Sequence, residues 1–227
     1  VAPPTRRLFT STAGVIGPAV DGPVNEDTER EVDFFNDYER TKYESELIIK
    51  EYAAQGADAV IVNPTRVYGP GQLNVSNSVT ILIKQYTEGK WKFLPGDGRS
   101  IGNYVYVDDV VQGHLLAMEK GRAGERYLLG GEDASYENFF NIIGAISGQN
   151  HQLYKIPLKL MLGFGKLQLF LAEQFGRQPV ITPGWVKKYW YHWQVSSDKA
   201  RNELGYEPIT LKQGIRKTLD WLEEKNE

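Results

Sequence analysis

Ala57-Asp58-Ala59-Val60-Ile61-Val62 runs directly into Asn63-Pro64-Thr65-Arg66-Val67-Tyr68-Gly69-Pro70-Gly71. The first six residues form a β-branched run without polar alternation, the pattern of a parallel strand buried on both faces. Before it, residues from about Asp37 to Ala54 read as a helix. Asn36 or Asp37 is its candidate cap, and Gly56 follows its end. Leu47, Ile48 and Tyr52 recur near the helical period and supply its apolar positions. Further upstream, Leu8-Phe9-Thr10 is short and β-prone, and leads into Ser11-Thr12-Ala13-Gly14-Val15-Ile16-Gly17. Strand, helix and strand make one βαβ unit of an α/β fold. Both strands end in polar residues at the same sheet edge, where open α/β sheets bind ligands. Short hydroxyl side chains also bond local backbone, which is the plainer reading of Ser11 and Thr12.

The intervening helix opens with Asp37-Tyr38-Glu39-Arg40-Thr41-Lys42. A spacing of four places Tyr38 and Lys42 on one helical face. An ammonium there favours the ionised phenol, which makes a tyrosine usable as an acid or base. Alone the pair is weak, because Tyr86 and Lys90 repeat the spacing. Gly89 lies between those two and breaks a shared helical face. The rest of the chain has to discriminate.

The 227 residues carry a net charge of −3, with 41% hydrophobic and 24% charged residues, as in an ordinary soluble domain or pair of domains. Scattered Lys and Arg leave no basic footprint for nucleic acid. With no cysteine there are no disulfides, and His114, His151 and His192 are too isolated for a metal site. No secretion signal or membrane span is legible, and a cytoplasmic protein is the default expectation. Residues 18 to 36 read as a loop. A helix over about 77 to 87, a short strand Trp91 to Leu94, a strand Asn103 to Val107, and a helix capped by Asp108-Asp109 follow. Arg126 to Leu129 is expected as a strand, Ser135 as a helix cap, and Leu211 to Glu224 as an amphipathic helix. The aromatic and aliphatic side chains of residues 157 to 193 (Leu160, Met161, Phe164, Phe170, Phe175, Trp185, Tyr189, Trp190 and Trp193) are expected mostly in a core and partly in a pocket wall.

Taken in order, Ser11-Thr12, Tyr38-x-x-x-Lys42, Asn63-Pro64…Val67-Tyr68-Gly69-Pro70-Gly71, Tyr104-Val105-Tyr106-Val107-Asp108-Asp109-Val110 and Asp198-Lys199-Ala200…Leu204-Gly205-Tyr206-Glu207-Pro208 resemble the extended short-chain dehydrogenase/reductase superfamily of NAD-dependent epimerases and dehydratases. The resemblance implies a Rossmann-type parallel sheet with a smaller, mostly helical substrate-binding subdomain. Residues 1–76 would form the catalytic portion and 77–227 mainly the cap, with 103–119 returning to the first part. It further implies NAD or NADP as cofactor and a small-molecule substrate. Tyr38 would be the general acid/base, Lys42 its pKa-lowering partner and ribose ligand, and Thr12, five residues before Gly17, the hydroxyl on the reacting oxygen. Ser11 would be the fallback for Thr12 and a cofactor contact. Pro64 and Val67 would line the nicotinamide, and Asn63, Thr65, Tyr68 and Asn103 would border the substrate. A homodimer through the Tyr38 helix is implied by the resemblance alone.

Two departures shape the expected function. No Gly-x-x-Gly-x-x-Gly follows a strand, so the expectation is a chain without the nucleotide-binding half, a fragment of a longer protein or a binding scaffold. The place of an arginine that clamps the substrate diphosphate in sugar-nucleotide enzymes is Gly102. The run Gly113-His114-Leu115…Gly130-Gly131 instead resembles the dihydroflavonol-4-reductase and hydroxysteroid-dehydrogenase branch, which acts on ketones, aldehydes or secondary alcohols of uncharged, often bulky molecules. That branch is preferred; the alternative is a sugar-nucleotide epimerase or dehydratase.

Overall fold

Val60, Ile61 and Val62 lose all solvent exposure because they form the middle strand of a parallel sheet with helices on both faces. The computed structural model describes residues 6–176, 179 and 181–225; the polar lead Val1 to Thr5 lies outside them. The elements in order are β1 (Arg7–Thr10), α1 (Asp37–Ala54), β2 (Ala59–Pro64), β3 (Arg66–Tyr68), α2 (Ser78–Thr87), β4 (Phe93–Pro95), β5 (Ile101–Tyr106), α3 (Val107–Lys120), β6 (Arg126–Leu129), β7 (Glu132–Ser135), α4 (Tyr136–Ser147), β8 (Tyr154–Ile156), α5 (Leu158–Phe175), α6 (Pro183–Lys187), α7 (Asp198–Leu204) and α8 (Leu211–Glu224). The first sheet runs β1-β2-β6, all parallel. The second runs β3-β5-β7, with β7 antiparallel, and β4 and β8 make a small parallel pair.

Successive residues of β2 point to opposite faces. Val60 and Val62 pack with Ala117 of α3, Tyr127 and Leu129 of β6, and Ala200 and Leu204 of α7. On the other face, Asn63 is bonded to Glu46 of α1. A second core gathers Tyr68, Ile83, Tyr86, Tyr104, Tyr106, Phe139, Phe140, Ile143, Ile215 and Leu219 around the second sheet. Two elements assigned to the cap half from sequence, β6 and α7, therefore build the first sheet's core, because β6 supplies the neighbour that covers β2.

Local expectations needed correction at several points. Tyr106, not Asp108 or Asp109, occupies the cap position of α3; both aspartates lie in its first turn, and Asp109 Oδ2 accepts from Ile209 N at 3.1 Å. The apolar positions of α1 face outward, with Leu47, Ile48 and Tyr52 all exposed, while Glu39 and Glu46 are its buried residues. Trp193 is buried and Met161 and Tyr189 are half-buried, but Leu160, Phe164, Phe170, Phe175, Trp185 and Trp190 are exposed rather than core, since α5 presses its Gly165 onto Thr182 and Pro183 and leaves much of its circumference uncovered. Among the described residues no helix is long and apolar enough to cross a membrane.

The link from β6 to β7 crosses β5 at close range. A Cβ at Gly131 would meet the Tyr104 carbonyl oxygen and lie 2.9 Å from Val105 Cα, backbone that cannot move aside. Gly131→Ala is expected to cost about 1–3 kcal/mol by overpacking, read as a lowered melting temperature; an unchanged melt would contradict this contact.

Glu26 ties the 18–36 loop to β6, accepting from Leu128 N at 2.8 Å, and burial pushes its carboxyl above the usual range. A raised folded-state pKa means that ionisation disfavours the fold as pH rises from about the unfolded carboxylate value, near 4.5. Glu26→Gln removes that cost but keeps an acceptor for Leu128. The difference in melting temperature, variant minus parent, is expected to grow more favourable between acidic and neutral pH. A difference that grows less favourable would refute the assignment.

Candidate active site

Where β1 ends, Ser11 N donates to Val62 O at 2.8 Å, which fixes the strand-end residues against β2. Thr12 has extended backbone and caps the 3-10 turn Ala13–Val15, its Oγ1 accepting from Gly14 N at 3.2 Å. Its own hydroxyl hydrogen stays available as a donor. The Ser11 hydroxyl is buried and has no hydrogen-bond partner among the described residues.

Across from this turn, Asn36 caps α1 by accepting from Glu39 N at 2.9 Å. Tyr38 stands in the first turn, 57% exposed. Partial burial raises its phenol above the ordinary value. Lys42 reaches back to β1, donating to Thr10 O at 2.8 Å with its ammonium 5.0 Å from the Phe9 ring centre. In this structure the ammonium bonds a strand-end carbonyl, and burial is the cause of the Tyr38 shift.

The residue that joins these pieces is Glu39, which nothing in the sequence marked. Its buried carboxylate accepts from Arg30 Nη2 at 3.0 Å, Phe35 N at 3.2 Å and Lys188 Nζ at 2.7 Å. Arg30 also donates to Gly14 O at 2.6 Å and Val32 O at 2.7 Å. Burial lowers the pKa of both cations, and Glu39 opposes that shift. A Cβ at Gly14 would lie 3.3 Å from Glu39 Cγ and 3.5 Å from Thr12 Oγ1, so this glycine lets the Thr12 turn close onto the start of α1. The start of α1, which carries Tyr38, is thereby held against the Thr12 turn, and Lys42 reaches the same strand end at Thr10 O.

The expected substrate-bordering residues divide differently. Asn63 is fully buried, its Nδ2 donating to Thr12 O at 3.1 Å and Glu46 Oε1 at 2.6 Å, so it positions the Thr12 turn from inside. Asn103 is buried too: it accepts from Thr65 Oγ1 at 2.8 Å and Gly131 N at 2.9 Å, and donates to Asp133 Oδ1 at 2.7 Å. Tyr68 is inside the second core, its hydroxyl directed at Leu211 O, 3.4 Å away. Buried polar groups tend to bond one another and nearby backbone, yet Asn63 Oδ1 is left without a partner among the described residues. Pro64 is buried at the end of β2, and Thr65 is half-buried. Val67 lines a cleft of about 300 Å³ with Tyr68, Gly69, Pro70, Asn77 and Val107. His114 bridges Thr10 Oγ1 (3.0 Å) and Val110 O (2.7 Å), and the Ile101 N–H donates to His192 Nδ1 at 3.2 Å.

Parallel strands ending in hydroxyl residues beside a Tyr-x-x-x-Lys helix make this an α/β protein with a Rossmann-like sheet. The description "NAD dependent epimerase/dehydratase family" matches residues 2–130, and the chain belongs to that family. It is 28% identical to a putative dihydroflavonol 4-reductase of Synechocystis, over 96% of this chain and 64% of that protein. It is 30% identical to 3beta-hydroxysteroid-dehydrogenase/decarboxylase isoform 1 of Arabidopsis thaliana, over 95% of this chain and 52% of that protein. In fold it resembles the UDP-glucose 4-epimerase of Thermotoga maritima, with a TM-score of 0.76 and 24% identity over 98% of this chain and 65% of that one. The chain thus spans about half to two thirds of the length of these three proteins.

Proposed function

We propose that the chain is the catalytic part of an NAD(P)-dependent oxidoreductase that transfers hydride between the nicotinamide and a ketone, aldehyde or secondary alcohol. The observation that supports this reading is that Glu39 and Gly14 hold the start of α1, with Tyr38 in its first turn, against the Thr12 turn, while Lys42 bonds Thr10 O at the end of the same strand. The residues suit the nicotinamide end of such a cofactor: the Ser11 hydroxyl is buried and unpartnered, and the Lys42 ammonium lies at the strand end. Ser11, Lys42, Pro64 and Val67 would hold it, and when bound it supplies or accepts the hydride. Thr12 would donate a hydrogen bond to the substrate oxygen. Tyr38, a phenol and so protonated near neutrality, would deliver the proton in the reducing direction and remove one in the oxidising direction.

The relatives named for reductase and dehydrogenase activity match nearly all of this chain at 28–30% identity, which favours that branch over a sugar-nucleotide epimerase or dehydratase. A homodimer packed through the exposed Leu47, Ile48 and Tyr52 of α1 belongs to the same reading. The test is oxidation of NADH or NADPH by the full-length protein with a panel of bulky ketones and aldehydes. Turnover with either cofactor is expected. No turnover, together with tight binding of a nucleoside-diphosphate sugar, would move the assignment to the epimerase reading.

A further inference from the structure

Arg66 of β3 and Gly102 of β5 share one face of the second sheet, because Arg66 is registered with Tyr104, two residues beyond Gly102. A Cβ at position 102 would lie 2.6 Å from Arg66 Cζ, so only a glycine there lets the guanidinium lie against the strand. Its surroundings are phenols. Nη1 donates to Tyr136 Oη at 2.7 Å and points at Tyr104 Oη, 3.4 Å away, and Cζ stands 5.2 and 5.5 Å from the two ring centres. Tyr189 packs edge-on against Tyr136 at 5.4 Å.

Aromatic faces and a neutral hydroxyl stabilise a cation only in part. Among the described residues the other half-buried arginines Arg6, Arg30 and Arg126 pair with Asp58, Glu39 and Glu46, whereas no ion pair involves Arg66. Nε and Nη2 make no hydrogen bond among those residues, and they offer the planar fork that fits two oxygens of one anionic group. Arg66 is half-buried as a residue. Lys188, near enough to feel the Arg66 charge, bonds Glu39, the residue after Tyr38, and so connects this cation to the candidate site.

We propose that Arg66, framed by Tyr104 and Tyr136 over Gly102, is a binding site for an anionic group of the substrate, a carboxylate or a phosphoryl group. The site deepens the oxidoreductase reading and rests on it only in assigning the anion to a substrate; it departs from the uncharged substrates expected from sequence. The experiment uses the full-length protein with phenylglyoxal, which labels accessible guanidinium groups, and locates the label by mass spectrometry. Benzoate and phenyl phosphate are the anionic probes and benzyl alcohol is the neutral control. One of the anions is expected to slow labelling of Arg66 at least about fivefold while the alcohol does not, and Arg66→Gln is expected to weaken that anion's binding about tenfold or more. Which anion protects tells carboxylate from phosphoryl. Equal protection by benzyl alcohol, protection by neither anion, or unchanged binding to a folded Arg66→Gln variant overturns the site. Labelling of the unmodified protein decides the matter if that variant does not fold. Because labelling reads no turnover, a protein that shows protection but no hydride transfer would overturn the oxidoreductase reading alone.

Discussion

Replacing Tyr38 by Phe in the full-length protein is expected to reduce turnover by about 10² to 10⁴, the usual contribution of a general acid or base. Its side chain is more than half exposed, so losing the hydroxyl opens no cavity. Surface changes of that kind typically alter stability by about 0.5 kcal/mol or less, so the melting temperature should hold while kcat falls. Steady-state kinetics and a thermal melt on the same preparation read both quantities. Activity within about tenfold of the parent would remove Tyr38 from the mechanism. A matched loss of stability would instead mean that its role is structural.

Glu39→Ala is expected to have the largest effect on stability. The substitution leaves the half-buried Arg30 and Lys188 cations without their carboxylate, whose side chain is 1% exposed. Removing one partner of a buried pair costs about 3–5 kcal/mol. At roughly 2–4 °C per kcal/mol for a chain of this size, the melting temperature should fall by about 6–20 °C. Arg30 keeps backbone acceptors at Gly14, Val15, Val32 and Asp33, whereas Lys188 keeps the faces of Trp185 and Trp193, at 4.9 and 4.4 Å. The stranded lysine should therefore account for much of the loss, and adding Lys188→Met to Glu39→Ala should restore part of it. A fall of less than about 2 °C would mean that the cluster is solvated. Since Glu39 also secures the Thr12 turn, the variant should bind substrate more weakly even where it remains folded.

The fold was readable because burial writes itself into local pattern. A β-branched run such as Val60-Ile61-Val62 without alternation has no wet face, and Asn36 before an acidic first turn is a helix start that local hydrogen bonding explains. Period alone misled in α1, and apolar content alone in α5. Leu47, Ile48 and Tyr52 repeat at helical spacing, but which face meets the rest of the molecule depends on what packs there.

The sequence by itself determined the βαβ unit, the order of its motifs and the residue types at the candidate site, since each of these depends on neighbours within a few positions along the chain. Only the tertiary structure decided that Lys42 turns to Thr10, that Asn63, Tyr68 and Asn103 bond inward, and that Arg66 fills the space over Gly102. It also brought Lys188 to Glu39 across 149 positions of sequence. A charge pair's energy is set by distance and by exclusion of water, and both arise only when remote segments close over it.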